Sequence, residues 1–599
     1  MCGILFCSWK KKSQINKKII YQSLNLLKNR GPDNSKLIFH ENWSMGHTRL
    51  SIIDPDSVNS NQPFTDEEGR YFLTFNGEIY NYKELKLNLV SRGFKFRTNS
   101  DTEVLYILLK NFTVEAVLNL IKGMFAFVFF DKKENSFIAA RDHFGQKPLY
   151  YSINKSMIAI SSSVKSLNKI INSSADIDLY NIYLSSNGII NQKKTLFKNI
   201  KCLQAGNYIY GKNFLYTDHK YFRPDKLYSD EKSIIQKKNS ETESIQNLKF
   251  LMKQSVSRHM VSDVEVGILL SGGIDSSLLY YFAHLENKDL SSFTSLSPNI
   301  EKNSFRLVPK IIKKFPVKKN FFVTQDKKKY LQDLNFLIEN THNLPRWGGG
   351  PPMSKLCEKA KKNQIKVLIG GDGVDEISGG YNTMIDCVRK KNLNKLSTHQ
   401  TLSLNLPTFI KKNKYFHQFE KHINNERENI LTKLGKIKNY KERIINSLLI
   451  QDTGSFLQMC TLPHSDEYSM FNSVELRNPY LDLDLVQYII NEPIERKINT
   501  SKTKILFKKL AVKTFGKFID TTKEGTRNYS KYISNISYWN LKKFKVFEAL
   551  KVNKTPDILS YKLLYKLISL EIFHRSIVLN EKNFFKEIMS KKGINTFKI

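Results

Sequence analysis

A cysteine directly follows the first methionine of this chain, which begins Met1-Cys2-Gly3-Ile4. Because a residue as small as cysteine at position 2 permits removal of Met1, the mature chain would carry a thiol and a free α-amino group on one residue. The amine has an ordinary pKa of about 7.7–8.0 and the thiol one of about 8.5. The amine can therefore take the thiol proton near neutral pH. The pattern predicts a nucleophile that supplies its own base, although by itself it also fits an incidental cysteine.

Polar residues in the next hundred positions could bind the substrate of such a nucleophile. Arg49 can bind an α-carboxylate through two nitrogens. Glu78 and Asp101 can bind an α-ammonium, and Asp101 opens a predicted helix capped by the serine before it. Asn76 and the N–H group of Gly77, in a predicted strand and turn, can stabilise a developing oxyanion. Each motif alone also fits an ordinary turn, helix cap or surface ion pair, but their joint occurrence predicts a pocket for glutamine.

A loop of small residues follows the apolar run Val264–Leu270 and reads Ser-Gly-Gly-Ile-Asp-Ser-Ser. It lacks the Gly-Lys-Ser/Thr ending of a Walker A loop. Its backbone N–H groups could still approach a phosphate closely, and the predicted helix after it would direct its positive end at the anion. Because a carboxylate beside a phosphate is repulsive unless a cation lies between them, Asp275 is a candidate Mg²⁺ ligand. The candidate phosphate-binding residues are Ser271, Gly272, Gly273, Ser276 and Ser277.

A second loop, Gly370-Gly371-Asp372-Gly373-Val374-Asp375-Glu376, follows the apolar run Ile365–Ile369. Three carboxylates within five residues repel one another unless a metal ion or a base compensates them. The loop therefore predicts Mg²⁺ bound near a pyrophosphate, with Asp375 as the better ligand. A solvated acidic turn is the alternative, which the basic composition of the chain disfavours.

Two kinds of element are predicted to position these residues. Short strands broken by turns, such as Tyr71–Phe75 and Phe125–Phe130, dominate the first two hundred residues and indicate an α+β domain with antiparallel strands. After a polar stretch at 224–244, which is predicted to be a linker, strands run into glycine turns and then helices, as in a doubly wound parallel sheet. The predicted domains are residues 2–220 and 245–599. The segment 388–450 and the basic C-terminal region are predicted to be helical.

The composition excludes several classes of protein. The chain has 599 residues, of which 41% are hydrophobic and 25% charged, and its 94 Lys and Arg against 56 Asp and Glu give a net charge of +38. The basic residues are scattered and lack interleaved aromatic residues, so a polyanion-binding protein is the weaker alternative and no specific nucleic-acid partner is expected. The longest apolar run, Met124–Phe130, is too short to cross a membrane and is expected to be a core strand or part of a domain interface. Six dispersed cysteines without a C-x-x-C pair predict a cytoplasmic protein.

The N-terminal motifs are similar to those of the class II, N-terminal-nucleophile glutamine amidotransferases. The matching words are MCGI, RGPD, HTRLSIID, QPF, NGEIYN, SDTEV, GMFAF and RDHFGQKPLYY, which cover about residues 2–165. The resemblance implies a four-layer αββα sandwich in which Cys2 attacks the side-chain amide of glutamine. Arg49, Asn76, Gly77, Glu78 and Asp101 would bind the glutamine. A thioester would form, ammonia would leave, and water would release glutamate.

The two later loops resemble the synthetase domain of glutamine-dependent asparagine synthetases, which has an α/β ATP-pyrophosphatase (adenine nucleotide α-hydrolase-like) fold. Further matching words are SVELRNPYLD at 473–482 and TKIL at 503–506. The resemblance implies that Asp275 and Asp375 bind Mg²⁺, that Lys504 stabilises an adenylated intermediate, and that Asp372 is a catalytic acid. The ATP-binding residues it implies are Leu270, Ser271, Gly272, Gly273, Asp275, Ser276, Ser277, Ser295, Gly370 and Gly371.

The motifs of the acceptor half depart from the family pattern. Asp372 stands where asparagine synthetases commonly have glutamate, and Phe507-Lys508 replaces a usual arginine position. The leading hypothesis is an asparagine synthetase that uses glutamine, ATP and aspartate and forms a β-aspartyl-AMP intermediate. The alternative keeps the chemistry and replaces aspartate with a sugar (uronic) acid or another carboxylate. The sequence leaves open whether the protein forms a homodimer.

Overall fold

The structure is a computed structural model that describes residues 2–10, 16–186, 193–296, 302–345, 347–389, 414–519, 526–552 and 560–597. Its N-terminal half holds two antiparallel sheets with the strand orders β2-β3-β1-β8-β7-β9 and β11-β10-β6-β5-β4. The strands are β1 (Gly3–Trp9), β2 (Asn34–Phe39), β3 (Trp43–Arg49), β4 (Tyr71–Ile79), β5 (Gly123–Asp131), β6 (Ser136–Arg141), β7 (Tyr150–Ile153), β8 (Met157–Ser161), β9 (Lys201–Cys202), β10 (Asn207–Lys212) and β11 (Leu215–Lys220).

The two antiparallel sheets pack face to face because their central strands are apolar on both sides. In β1, Ile4 and Phe6 join the core between the sheets, whereas Leu5 and Cys7 face the helices outside. The side chains of β5 alternate in the same way. One face of the strand predicted at 124–130 joins the core between the sheets, and the other face joins the core beneath the helices. Helices cover both outer faces, which gives the predicted αββα sandwich. These helices are α1 (Lys17–Asn25), α2 (Tyr82–Ser91), α3 (Asp101–Asn111), α4 (Val114–Leu120), α5 (Val164–Ile171) and α6 (Asp178–Ser185).

The C-terminal half is built on a parallel sheet with the strand order β14-β13-β12-β15-β16. The strands are β12 (Val266–Leu269), β13 (Ser291–Ser295), β14 (Lys319–Val323), β15 (Val367–Ile369) and β16 (Glu475–Arg477). The order reverses direction between β12 and β15, and ligands of open α/β sheets bind at the carboxyl ends of the strands at such a switch point. Both predicted nucleotide loops begin there, since one follows β12 and the other follows β15.

Helices flank this sheet and extend the C-terminal half. They include α7 (Asp230–Lys238), α8 (Glu241–Met260), α9 (Ile274–Glu286), α10 (Lys302–Lys314), α11 (Tyr330–Thr341), α12 (Gly350–Lys362), α13 (Val374–Ser378), α14 (Asn382–Arg389), α15 (Lys414–Lys433), α16 (Tyr440–Gly454), α17 (Leu462–Phe471), α18 (Leu483–Asn491), α19 (Ile494–Lys497), α20 (Ile505–Phe515), α21 (Lys545–Ala549), α22 (Tyr561–Phe573), α23 (Phe585–Ile588) and α24 (Lys591–Thr596). None of the helices in the described ranges is long and apolar enough to cross a membrane.

The stretch 224–244, which is predicted to be a linker, is mostly helical, because α7 and the start of α8 occupy most of it. A serine caps each of these two helices, and the cap of α8 is a reciprocal Ser240–Glu243 capping box. The pair Asn76-Gly77 does not form a turn, because β4 runs through it and stays paired with β5 from Tyr71 to Ile79. The helical prediction for 388–450 holds in α15 and α16, but residues 390–413 lie outside the described residues.

Candidate active sites

The N-terminal cysteine lies at the end of β1, against the middle of β4. The backbone nitrogen of Cys2 donates to Oδ1 of Asn76 at 2.9 Å. Because Oδ1 is the acceptor, Nδ2 of the same amide remains as a donor, and it is buried without a hydrogen-bond partner in the described part of the chain. Burial raises the pKa of the Cys2 thiol. The arrangement can fix the amino group beside the thiol and present one amide N–H to a developing oxyanion.

A pocket of about 360 Å³, including its open mouth, surrounds Cys2. Four of the other residues predicted from the sequence contribute to its lining, namely Arg49, Gly77, Glu78 and Asp101. Burial raises the pKa of Asp101 to about 6, and burial with the neighbouring Glu475 and Asp101 raises the pKa of Glu78 well above its ordinary value. Two crowded carboxylates of this kind are a good site for an ammonium group, since its charge relieves their repulsion.

Arg49 is held differently from what the sequence predicts. Its Nη1 donates to the Ser57 carbonyl at 3.2 Å and to Oδ1 of Asn61 at 3.0 Å. Its Nη2 donates to the carbonyls of Ile53 at 3.1 Å and Asp54 at 2.8 Å. The four terminal N–H groups are thus committed to the loop after β3. Arg49 supplies a fixed positive charge at the pocket wall, and the predicted two-nitrogen contact with a carboxylate is not available in this arrangement.

Gly77 is required by a close contact between β4 and β5. Its φ is +148°, and a Cβ atom there would lie 2.0 Å from the carbonyl oxygen of Met124. The strand continues through the Asn-Gly pair because this glycine lets the two backbones approach each other. Asn76 is therefore fixed by sheet pairing, opposite Ala126, and not by a flexible turn.

The first nucleotide loop leads directly into the start of a helix. Gly272 has a φ of +76°, and α9 begins two residues later, so its first N–H groups lie at the loop. The hydroxyls of Ser271 and Ser276 are 2.9 Å apart, and Ser277 donates to the Gly273 carbonyl at 2.7 Å. The geometry is that of an anion-binding loop at a helix N-terminus.

Lys504 joins the two nucleotide loops. Its Nζ lies 2.6 Å from Oδ2 of Asp275 and 2.9 Å from Oδ1 of Asp375. Burial alone would lower the pKa of Lys504, but the two carboxylates outweigh it and raise the pKa. Lys504 has a left-handed backbone, with a φ of +48°, immediately before α20. This turn directs the side chain between loops that are 229 and 129 residues away in the chain.

The two aspartates also fit a magnesium ion. Oδ1 of Asp275 is buried and has no hydrogen-bond partner within the described ranges. Hard oxygen ligands from two carboxylates, completed by phosphate oxygens and water, match what Mg²⁺ prefers. No cluster of three acidic, His or Cys ligands occurs among the described residues. The two aspartates therefore suit an ion that takes its remaining ligands from the phosphates of a nucleotide and from water.

Asp372 lies in the second loop and accepts a hydrogen bond from the hydroxyl of Ser465 at 2.5 Å. Burial raises the pKa of Asp372 to about 6. Its partner comes from α17, 93 residues later in the chain, and no local motif marks Ser465. Leu270, Ser295, Gly370 and Gly371, the other residues predicted to bind ATP, lie at or just past the carboxyl ends of β12, β13 and β15. The Ser295 hydroxyl lies 3.0 Å from the hydroxyl of Tyr529.

Six buried charges connect the two halves of the chain. Arg30 donates from Nε to the Cys2 carbonyl at 3.1 Å and forms an ion pair with Asp466 at 2.8 Å. Lys147 lies 3.5 Å from the same aspartate. The other three charges are Glu78, Glu475 and Arg477, where Arg477 lies between the two carboxylates. Sequence reasoning missed this network because its members are scattered, although Arg30, Glu475 and Arg477 all lie in motifs that were noted.

Sequence comparisons agree with the two sites. The profile of a glutamine amidotransferase domain matches residues 1–222, and the profile of asparagine synthase matches residues 247–537. The chain is 30% identical over 444 residues to the glutamine-hydrolysing asparagine synthetase of Sandersonia aurantiaca, with 69% of this chain and 73% of that protein covered. It is 29% identical over 533 residues to asparagine synthetase 1 of Bacillus subtilis, with 82% and 81% covered.

Proposed function

This chain belongs to the glutamine-hydrolysing asparagine synthetases, carbon–nitrogen ligases that form AMP and pyrophosphate, and on that premise we propose that it amidates aspartate with ammonia released from glutamine. The observation that carries the proposal is the presence of two sites in one chain. The Cys2–Asn76 pair borders a pocket lined by two crowded carboxylates, and the Lys504 ammonium joins the two nucleotide loops.

In the glutaminase half, the amino group of mature Cys2 takes the thiol proton, and the thiolate attacks the side-chain carbonyl carbon of glutamine. The negative charge that develops on the carbonyl oxygen accepts from Nδ2 of Asn76 and from the Gly77 N–H. Return of the proton to the leaving nitrogen releases ammonia and leaves a thioester. Water then attacks the thioester and releases glutamate, and the proton it loses restores the thiol. Glu78 and Asp101 hold the α-ammonium, and the fixed charge of Arg49 attracts the α-carboxylate.

In the synthetase half, the N–H groups at the start of α9 bind the phosphates of ATP. Asp275 and Asp375 would hold Mg²⁺, which supplies charge neutralisation to the pyrophosphate when bound. A carboxylate oxygen of aspartate attacks the α-phosphorus, and the bond to pyrophosphate breaks. Lys504 lies where it can stabilise the negative charge of the adenylate. The activation is needed because a free carboxylate is too poor an electrophile for ammonia.

Asp372 is proposed to act in the second step at this site. Ammonia adds to the acyl carbon and must lose a proton as the bond to AMP breaks. A carboxylate with a pKa near 6, buried and oriented by Ser465, is a suitable acceptor for that proton. Ammonia must reach this site unprotonated, since ammonium is not a nucleophile. Ammonia would therefore pass between the two halves inside the protein, because release to bulk water near neutral pH would protonate it.

An acceptor screen tests the proposal. The protein would be incubated with MgATP, ammonia and one carboxylate at a time, and both pyrophosphate and AMP would be measured. We expect aspartate to give both products in a one-to-one ratio. A matched Lys504→Met variant should give neither while it still hydrolyses glutamine. If AMP forms only with uronic acids, the acceptor is a sugar acid and the proposal of aspartate is wrong. If AMP forms with none of the carboxylates, the synthetase assignment is refuted.

A further inference from the structure

Arg477 contacts both candidate sites, one through its side chain and the other through its backbone. It is the last residue of β16 and is fully buried. Its side chain leaves the sheet toward the N-terminal half, whereas its carbonyl group pairs with the loop after β15. One buried residue therefore carries both sets of contacts.

The side chain is held on the C-terminal side and reaches across the interface. Nε donates to Oε1 of Glu475 at 2.6 Å, and Nη1 donates to the carbonyls of His259 at 2.8 Å and Val261 at 2.6 Å. Nη2 lies 3.6 Å from Oε1 of Glu78 and has no hydrogen-bond partner in the described chain. The guanidinium also lies 5.8 Å from the ring centre of Tyr80. Nη2 of Arg477 can therefore interact with Glu78 in the glutamine pocket, while the other nitrogens are held on the C-terminal side.

The backbone of Arg477 supports the second nucleotide loop. The N–H of Gly370 donates to the Arg477 carbonyl at 2.8 Å, which continues the pairing of β15 with β16 into the loop. The next residue, Asn478, packs over Gly370, since a Cβ there would lie 3.1 Å from Asn478 Oδ1. Three residues after Arg477, the hydroxyl of Tyr480 donates to the Asp275 carbonyl at 2.9 Å. The segment from Arg477 to Tyr480 therefore touches both nucleotide loops.

We propose that Arg477 is a positioning residue that couples occupation of the nucleotide loops to the affinity of the glutamine pocket. The inference rests on the proposed role of Glu78 as a ligand of the glutamine α-ammonium. ATP that orders the loop after β15 also holds β16 in place, and with it the cation beside Glu78. That cation lies 3.6 Å from Oε1 of Glu78 and orients this carboxyl toward the pocket, so glutamine binds more tightly. By linkage, glutamine must favour ATP by the same factor.

Calorimetry in a Cys2→Ala background measures this coupling, because that variant binds glutamine without turning it over. The dissociation constant of glutamine would be measured with and without MgATP. Arg477→Lys keeps a cation beside Glu475 but cannot make the same three donations and also reach Glu78. The control is Lys122→Met, which breaks a different contact between the halves, the half-exposed pair with Asp484 at 2.8 Å. Arg477→Met with Glu475→Met replaces the buried pair by apolar side chains, should the single variant fail to fold.

We expect MgATP to lower the dissociation constant of glutamine about fivefold, at the low end of typical coupling. This effect should be seen in Cys2→Ala alone and in Cys2→Ala with Lys122→Met. Either Arg477 variant should bind glutamine more weakly, and MgATP should no longer change the affinity. An unchanged effect of MgATP in the Arg477 variants would overturn the inference. The absence of an MgATP effect in Cys2→Ala alone would overturn it as well. If the wild-type protein hydrolyses glutamine and forms AMP but shows no coupling, only the inference fails. If it has neither activity, the proposed function fails as well.

Discussion

The backbone nitrogen of Cys2 lies 2.9 Å from Oδ1 of Asn76, a residue 74 positions later in the chain. The pairing of β4 with β5 fixes Asn76, so the strand positions the amino group that is proposed to act as the base. The thiol and its base are thereby held between the start of β1 and the edge strand β4. This relationship defines the first predictions.

Replacement of Cys2 by alanine should abolish hydrolysis of glutamine and leave synthesis from free ammonia within about twofold of the original rate. The two sites have separate residues, so loss of the thiol removes only the nitrogen donor. Glutamate release and AMP formation would be measured on the same preparation. Failure of ammonia to restore AMP formation in a folded variant would contradict the two-site arrangement.

Asp275→Asn and Asp375→Asn should have the opposite effect, with AMP formation lost and glutamine hydrolysis retained. Each change removes a carboxylate charge from the Lys504 cluster and weakens the proposed magnesium site, so AMP formation should fall by at least about a hundredfold. Glutamine hydrolysis should remain measurable. Titration of Mg²⁺ against the rate gives a second readout, since weaker binding shifts the half-saturating concentration upward. Loss of both activities in folded protein would count against these assignments.

Glutamine affinity should depend on pH through Asp101. Burial raises the pKa of this carboxyl to about 6, and only its ionised form attracts the α-ammonium. Affinity should therefore approach its full value about one pH unit above this pKa and fall by up to about tenfold per pH unit below it, whereas an ordinary aspartate would lose its charge only near pH 4. Calorimetry with Cys2→Ala between about pH 5 and pH 8 measures this. Adding Asp101→Asn should weaken binding and remove the part of the pH dependence near pH 6, and its persistence would assign that part to Glu78, whose pKa is also raised.

Asp466 should be important for the stability of the joined halves. It lies between Arg30 and Lys147, and all three are buried. Asp466→Ala leaves two buried cations without their partner, which costs about 3–5 kcal/mol in comparable buried pairs. Urea unfolding, monitored by tryptophan fluorescence, would show an earlier transition. Lys122→Met is the control, because its half-exposed pair should be worth about 0–1 kcal/mol. Equal effects of the two changes would contradict this assignment.

Gly77→Ala should disable the glutaminase site without a change at Cys2. The added Cβ would meet the Met124 carbonyl at 2.0 Å, so β4 and β5 must separate and displace Asn76. We expect glutamine hydrolysis to fall by more than about tenfold. Gly69→Ala is the matched control, since Gly69 also has a positive φ, +58°, but has no atom within 4 Å of the added carbon. Similar losses in both variants would mean that backbone strain, and not the contact, is responsible.

Much of the architecture could be predicted because it depends on local patterns. Apolar runs that end in glycine-rich turns predicted β12 and β15 and the loops after them, since such a loop needs small residues wherever it binds phosphate. The serine before Asp101 predicted the start of α3, and its side chain does accept from the Glu103 N–H. The same local reasoning failed at Asn76-Gly77, where the dipeptide favours a hairpin turn but pairing with β5 along nine residues overrides it.

The sequence by itself determined which chemical groups are present: a cysteine that can become the chain terminus, two glycine-rich loops and the acids within them. Only the tertiary structure decided which groups meet. It places Lys504 between Asp275 and Asp375, gives Asp372 a serine from a distant helix, and commits the terminal nitrogens of Arg49 to a loop. The physical reason is that short motifs encode local backbone geometry. Side-chain pairing over a hundred or more positions depends on how sheets and helices pack.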